Sequence, residues 1–373
     1  MTATNDLQRL RDRLVALTRD LVLIPSIPSR PDDSRRCYEF VKNHIDSLEG
    51  IRVDEYAEQG FPSMVAMPEG CREPDLLLCA HLDVITHPDI SFYRAEVQDG
   101  RITGPGAGDM KGALAILIEL FRTLHQQYSG LSLGLVVTSD EETGGEHGIG
   151  YLFDRVGLRC GGAMIPDGGS IDKITVDEKG ILHARLTCQG HAAHAARPWL
   201  GVNPLESLIA RLGAVRDQFD LWKADSSGHW YPTCSITVIE TENTTTNRIP
   251  SDAAAVLDIR FPPPHTVSSM LEALTLVVGS GVAIEPMIGA ETTHLQPDPL
   301  FIEAAETVLG RSMTLVRESG GSDARFICKH GIPVQMSRPL VGNLHAADEW
   351  IDIESMVQFY QVYERYIVAK LGV

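Results

Sequence analysis

The residues best suited to chemistry are acids and histidines at the ends of short apolar runs. Asp75-Leu-Leu-Leu-Cys-Ala80 runs into His81-Leu82-Asp83, and because side chains alternate along a strand, His81 and Asp83 share one face. In a metal reading His81 is a ligand and Asp83 the carboxylate that fixes its tautomer. Taken alone, an H-x-D at a strand end is more often a structural hydrogen bond. A second run, Leu131 to Thr138, ends in Ser139-Asp140-Glu141-Glu142-Thr143-Gly144-Gly145. Three crowded acids either face water as a solvated loop or surround a dication, with one as a general base of raised pKa. Asp167 follows a third run, Gly162 to Pro166, and His345 lies in the late loop Gly342-Asn-Leu-His345.

Between the first two runs, Gly104-Pro-Gly-Ala-Gly-Asp-Met-Lys-Gly112 leads into a helical pattern. It fails as a dinucleotide loop, since Asp109 takes the place of the third glycine and would repel a pyrophosphate. No H-E-x-x-H, C-x-x-C, G-x-S-x-G or Walker loop offers a competing chemistry. Two divalent ions about 3.5 to 4 Å apart need mixed nitrogen and oxygen ligands of this kind, with one carboxylate shared. Zinc suits them best, and cobalt or manganese are the alternatives.

The elements that must position these residues follow from periodicity. Helical patterns cover Leu7 to Leu21, Cys37 to Leu48, Gly112 to Tyr128 and Glu146 to Arg155, alternating with the three apolar runs. That alternation predicts an α/β fold with a mostly parallel sheet and helices on both faces, and ligands in such sheets sit beyond the carboxyl ends of the strands. From about Gly180 the pattern changes to alternating strands (Ile181 to Cys188, Ser235 to Glu240, Ala253 to Phe261, Gly281 to Met287) around two helices, Pro204 to Gln218 and Ser268 to Val277. The α/β pattern resumes with Pro299 to Leu309, Ile332 to Met336 and Ile353 to Leu371. The reading is a discontinuous catalytic, metal-binding domain, residues 1–180 and 292–373, with an inserted α+β lid, residues 181–291.

Composition narrows the partners. The 373 residues carry 32 Lys plus Arg against 50 Asp plus Glu, a net charge of -18, the wrong sign for tracking phosphates, so nucleic acid is not expected. No apolar run is long enough to span a bilayer. Charges interrupt the N-terminal apolar positions, which argues against a signal peptide, and the seven scattered cysteines suit a reducing compartment. A cytoplasmic protein is expected.

The order H-x-D, G-x-x-D-M-K-G, D-E-E-x-G, a further acid, an inserted unit, G-G-S-D-A-R and a final His resembles the co-catalytic zinc amidohydrolases and peptidases. That family includes succinyl-diaminopimelate desuccinylase, acetylornithine deacetylase, aminoacylase and a carboxypeptidase that cleaves folates. The resemblance implies that Asp109 bridges two metals and precedes a cis peptide to Met110. By the same likeness Glu142 and His345 hold one metal, His81 and Asp167 hold the other, and Glu141 is the base acting on a metal-bridging water. Desuccinylases and acetylornithine enzymes usually carry Glu at the position of Asp167, whereas aminoacylases and several dipeptidases carry Asp.

The inserted unit is similar too. Gly190-His-Ala-Ala-His-Ala-Ala-Arg-Pro198 resembles the segment whose histidine reaches a neighbour's active site. Spacing to Pro198 favours His194, with Ala195 and Ala196 in place of serines and His191 as the competitor. Asn247 and Arg260 resemble residues that contact a substrate carboxylate, an ion pair along a strand being the competing role for Arg260. Gly321, Ser322 and Arg325 resemble a loop that also receives substrate, where a plain helix cap is the alternative. The implied protein is a homodimer joined through its lids that hydrolyses the amide of a small N-acyl amino acid. Its alternatives are a dipeptidase or carboxypeptidase-type exopeptidase on the same site and, remotely, a metal-free binding protein on this scaffold.

Overall fold

Strands buried on both faces read as unbroken apolar runs, and the sheet behind the candidate site is built from them. In the computed structural model, which describes residues 2–224 and 228–373, strand Leu76–His81 is buried throughout. Leu76, Leu78 and Ala80 join Leu133, Leu135 and Val137 in one core, while Leu77, Cys79 and Val136 join a second. The six strands lie in the order Ile51–Glu58, Phe61–Pro68, Leu133–Thr138, Leu76–His81, Ala163–Met164, Val334–Gln335. The last four pair in parallel, and the first two join antiparallel. Helices Thr2–Val22, Pro31–Ile45, Gly112–Gln127 and Ile353–Leu371 supply the first core. The turns Ile149–Tyr151 and Leu152–Val156 and helix Ala324–Cys328 supply the second.

Three local differences from the sequence reading have physical causes. The hairpin Ile51–Pro68 carries no clean apolar run on its outer strand, which holds Arg52, Asp54, Glu55 and Glu58. It is closed by Gln59 and Gly60, both at positive φ (50° and 88°), a two-residue connection that matches strand twist. The second helix starts at Pro31 because proline at the first helical position has no N–H to leave unpaired. The helix expected from Glu146 begins only at Ile149, since Asp140 Oδ2 accepts the N–H groups of His147 (2.7 Å) and Gly148 (2.9 Å).

The chain divides into two compact units: one comprises the residues up to Val176, His294–Val316 and Ser322–Val373, and the other comprises Asp177–Thr293 and Arg317–Gly321. The second unit is α+β. Its antiparallel sheet runs Thr233–Glu240, Asp252–Phe261, Gly180–Gln189, Val282–Ala290. Helices Pro204–Ala224 and Val267–Val278 contribute Leu208, Leu212, Met270 and Leu274 to a core shared with one face of that sheet. Among the described residues, no helix is long and apolar enough to cross a membrane.

Lys111, inside the Gly-rich motif, belongs to the scaffold. It is fully buried, and its ammonium donates to the carbonyls of Leu21 (3.1 Å) and Ile24 (2.5 Å), closing the C-terminal end of helix Thr2–Val22 where carbonyls lack helical partners. Lys111→Met keeps the apolar stem but leaves the two carbonyls with only their backbone partners, the N–H groups of Ile24 and Ser26, and urea unfolding should show a loss of about 1–3 kcal/mol. A loss under about 0.5 kcal/mol, the range of neutral surface changes, would remove this role.

Candidate metal centre

The parallel strands deliver the site residues from their carboxyl ends. His81 is the last residue of its strand, Glu141 and Glu142 form a short turn just past Leu133–Thr138, and Asp167 follows Ala163–Met164. Asp109 lies in the turn Ala107–Lys111 before helix Gly112–Gln127, and its peptide bond to Met110 is cis. His345 sits in a loop at φ 65°.

Asp109 stands between the two histidines. Its Oδ1 lies 3.2 Å from His81 Nε2 and its Oδ2 3.3 Å from His345 Nε2. Glu141 Oε2 is 4.0 Å from the His81 nitrogen, and Glu142 Oε2 is 3.7 Å from the His345 nitrogen. The potential ligand atoms form two groups, His81 with Glu141 and Asp167, and Asp109 with Glu142 and His345, each with all atoms within 4.8 Å of one another. Two clusters of imidazole and carboxylate, with a carboxylate that turns one oxygen to each histidine, fit a pair of divalent cations.

Electrostatics support the same fit. Burial, reinforced by the charge of Asp109, pushes Glu141 up to about 7 and Glu142 up to about 8. Burial with Asp109 and Glu141 nearby raises Asp167 well above the carboxylate range. Burial opposes ionisation of Asp109 as well, but hydrogen bonds from His345 and His81 outweigh it and hold this carboxyl low. The bond to Asp109 lifts His345 to about 9; His81 is also raised, burial opposing and Asp109 and Asp83 prevailing. A metal-free cluster therefore keeps protons where cations would otherwise carry the positive charge.

Two buried carboxylates hold the ligand loops by their backbones. Asp83 accepts the N–H groups of Glu141 (3.3 Å) and Glu142 (2.9 Å), and its carbonyl oxygen lies 3.1 Å from His81 Nδ1 while its Oδ1 is 3.4 Å away. Its carboxylate thus anchors the acidic turn besides facing His81, which H-x-D spacing alone does not reveal. Glu349 was not nominated by the sequence. It accepts from Gly108 (2.7 Å), Asp109 (2.8 Å) and His345 (3.1 Å), joining the Asp109 turn to the His345 loop. Asp323, within G-G-S-D-A-R, is buried with Oδ1 unpartnered, and a Cβ on Gly145 would come within 2.3 Å of that atom.

The residues nominated for substrate contact are dispersed. Ser322 is buried and its Oγ accepts from the Ala324 N–H (3.2 Å), a helix-start contact. Arg325 donates to the carbonyl of Gly144 and lies over Phe326, so it braces the acidic turn. Gly321, His194, Asn247 and Arg260 belong to the second unit. There Arg260 forks onto Asp258 (2.7 and 3.1 Å), the ion pair along a strand that competes with substrate recognition. His194 lies on a two-residue strand paired with Arg248–Ile249, and the carbonyl of neighbouring Asn247 accepts from Ala195. His194 is exposed, and its Nδ1 accepts the Ala196 N–H at 3.1 Å, which leaves Nε2 as the protonated, outward donor. His191 bridges to Val202 through its backbone.

Residues 77–369 match the family described as Peptidase family M20/M25/M40. The chain is 28% identical over 318 residues to a succinyl-diaminopimelate desuccinylase of Parvibaculum lavamentivorans, covering 79% of this chain and 80% of that protein. It is 29% identical to the same-named protein of Acidiphilium cryptum, over 95% and 97% of the two chains. Among solved structures, an M20 family metallo-carboxypeptidase from Sulfolobus solfataricus superposes with a TM-score of 0.80 at 18% identity, covering 96% of this chain and 99% of that one. Human carnosine dipeptidase 1 gives 0.77 at 19%, with 99% and 98% covered.

Glu349 touches no candidate ligand atom, so its contribution can be separated from ligation. Glu349→Gln should weaken zinc binding about 10- to 100-fold in competition with a chelator, while the fold is retained by circular dichroism. Unchanged affinity would leave Glu349 a scaffold residue only.

Proposed function

The chain belongs to peptidase family M20/M25/M40, and from this membership we propose that it is a deacylase cleaving the amide of a small N-acyl amino acid, with Glu141 as general base. As a member it is a metal-dependent hydrolase of amide or peptide bonds. The observation that carries the finer reading is the state of Glu141. Its backbone is fixed by Asp83 and its carboxylate accepts no hydrogen bond among the described residues, which leaves it free to take and return a proton.

His81 and Asp167 would hold one cation, Glu142 and His345 the other, and Asp109 both. Two such ions, zinc for this donor set, supply Lewis acidity that polarises the scissile carbonyl and lowers the pKa of the attacking water. Glu141 accepts a proton from that water as its oxygen bonds to the carbonyl carbon. As the C–N bond breaks, Glu141 returns the proton to the leaving nitrogen, and the products are a carboxylic acid and a free amine. A dipeptidase or exopeptidase running the same steps is the second reading. It is favoured by Asp167, where the desuccinylases the chain resembles usually carry Glu.

Glu141→Gln should retain two equivalents of zinc by elemental analysis and lose about a thousandfold in turnover. Metal loss in this variant would exchange the roles of Glu141 and Glu142. Substrate class is decided by amine release from N-acetyl, N-succinyl and N-formyl amino acids against dipeptides, with zinc-, cobalt- and manganese-loaded protein. Cleavage of dipeptides alone would establish the exopeptidase.

The proposed assembly is a C2 dimer through the second unit. Thr233–Glu240 is an edge strand of its sheet with Ile236, Val238 and Ile239 exposed, and such an edge is ready to pair with a symmetry mate. In that dimer His194 of one chain would donate from Nε2 to the oxyanion formed in the other's site. Losing one such donor costs on the order of a hundredfold in kcat. Mixed Glu141→Gln and His194→Ala chains should therefore regain activity on subunit exchange, since one site of a mixed dimer keeps both groups. Proven exchange without recovery would exclude action in trans. Seven cysteines, all free, support the cytoplasm as the compartment.

A further inference from the structure

Arg338 enters no motif above, yet it faces the metal centre. It follows Val334–Gln335, the strand that pairs in parallel with Ala163–Met164, so the topology sets it beside Asp167 at neighbouring strand ends. The backbone there is pinned. Ser337 Oγ donates to the Ser170 carbonyl (2.7 Å), and the Ser337 carbonyl accepts from Tyr363 (3.3 Å).

The side chain is only 14% exposed, and its Nη1 lies 3.8 Å from Asp167 Oδ1, too far for a hydrogen bond. Nε is buried without a partner, and no hydrogen bond from this side chain is made among the described residues. The two arginines nominated for carboxylate recognition differ in this respect, because Arg260 is taken up by Asp258 and Arg325 by the Gly144 carbonyl. The arginine with idle donors is the one at the strand ends.

An arginine is charged at every working pH, and a nearly buried guanidinium without acceptors is costly unless an anion meets it. The nearest acid, Asp167, stops at 3.8 Å and makes no hydrogen bond to it. With cations held by Asp167, Asp109, Glu142 and the histidines, Arg338 would look onto a positive centre. Asp167 and Asp109, the acids whose charge Arg338 meets, both belong to the candidate ligand set, so once they hold cations the compensating anion has to arrive from outside. A planar fork of N–H groups is matched best by a carboxylate.

We propose that Arg338 receives a carboxylate of the substrate beside the metal centre and so selects for substrates that carry one close to the scissile amide. The inference rests on the deacylase reading and deepens it. That carboxylate is either the α-carboxylate of the amino acid or the distal carboxylate of a dicarboxylic acyl group.

The test compares wild type, Arg338→Gln and Arg338→Lys on matched pairs: an N-acetyl amino acid with its α-carboxamide, and an N-succinyl amino acid with its succinamoyl analogue. For the pair whose carboxylate is read, Arg338→Gln should raise KM about a hundredfold for the acid and change the amide less than about threefold. Arg338→Lys should recover part of the loss, and zinc content should stay at wild-type level. Equal losses on acid and amide, or lost zinc, would overturn the proposal and assign Arg338 to holding Asp167. If wild type cleaves no N-acyl amino acid, the deacylase reading fails by itself. Calorimetry of acetate and succinate against acetamide and succinamide on zinc-loaded protein then decides the Arg338 question. At least a tenfold weaker binding of either acid in Arg338→Gln, by about the strength of one charged contact, supports it. Unchanged affinity for both acids overturns it.

Discussion

Asp109, Glu141, Glu142 and Asp167 cannot all be ionised side by side in a buried site without positive charge between them, and the first unit is arranged around that constraint. Burial and mutual repulsion hold three of these acids protonated beyond their usual range, while Asp109 alone stays ionised through the histidines on either side of it. A cluster so unfavourable stays in register only if the backbone beneath it cannot relax. Asp83 and Glu349 supply that restraint, using carboxylate oxygens to gather five N–H groups from the three ligand loops. Charge-assisted bonds to backbone donors are among the stronger ones available, so acids outside the ligand set are what keep the acids inside it together.

The sheet makes the arrangement possible. Parallel strands end at one edge, so residues far apart in sequence arrive together with no turn between them. Antiparallel pairing at this edge would have returned the chain through tight hairpins and left no room for the loops that carry Asp109 and His345. Lys111 shows how closely scaffold and site are interleaved: two residues past Asp109, it ties the same turn to the end of the first helix.

Much of this was legible because the chemistry sits at abrupt transitions. Apolar runs that stop in His81, in Asp140 to Glu142 and in Asp167 announce both a buried strand and a polar end, and Pro299–Leu309 and Ile353–Leu371 were readable to the residue from their period and flanks. Residues that act through the backbone left no trace. Glu349 looks like any acid in a surface loop, because three N–H groups converging on it is a fact of folding and not of spacing. Arg338 is legible only once Val334–Gln335 is known to lie next to Ala163–Met164. The hairpin at Ile51–Pro68 escaped because its outer strand is polar. Arg260 and Arg325 were nominated for substrate contact by resemblance, and the partners that folding gives each within its own unit, Asp258 and the Gly144 carbonyl, are not legible from spacing.

The same crowding couples metal binding to protons. Glu141 and Glu142 retain protons into the neutral range in the metal-free chain, Asp167 holds its own well above the usual carboxylate range, and the two histidines bind theirs more tightly than usual. Every cation that enters has to displace some of them, so affinity rises with pH until the ligands ionise freely. Asp109 is the exception, since it is already ionised and gives up no proton when it binds. Its charge is held by the histidines on either side of it, so the one acid of the cluster that stays ionised is also the one that turns an oxygen to each of them.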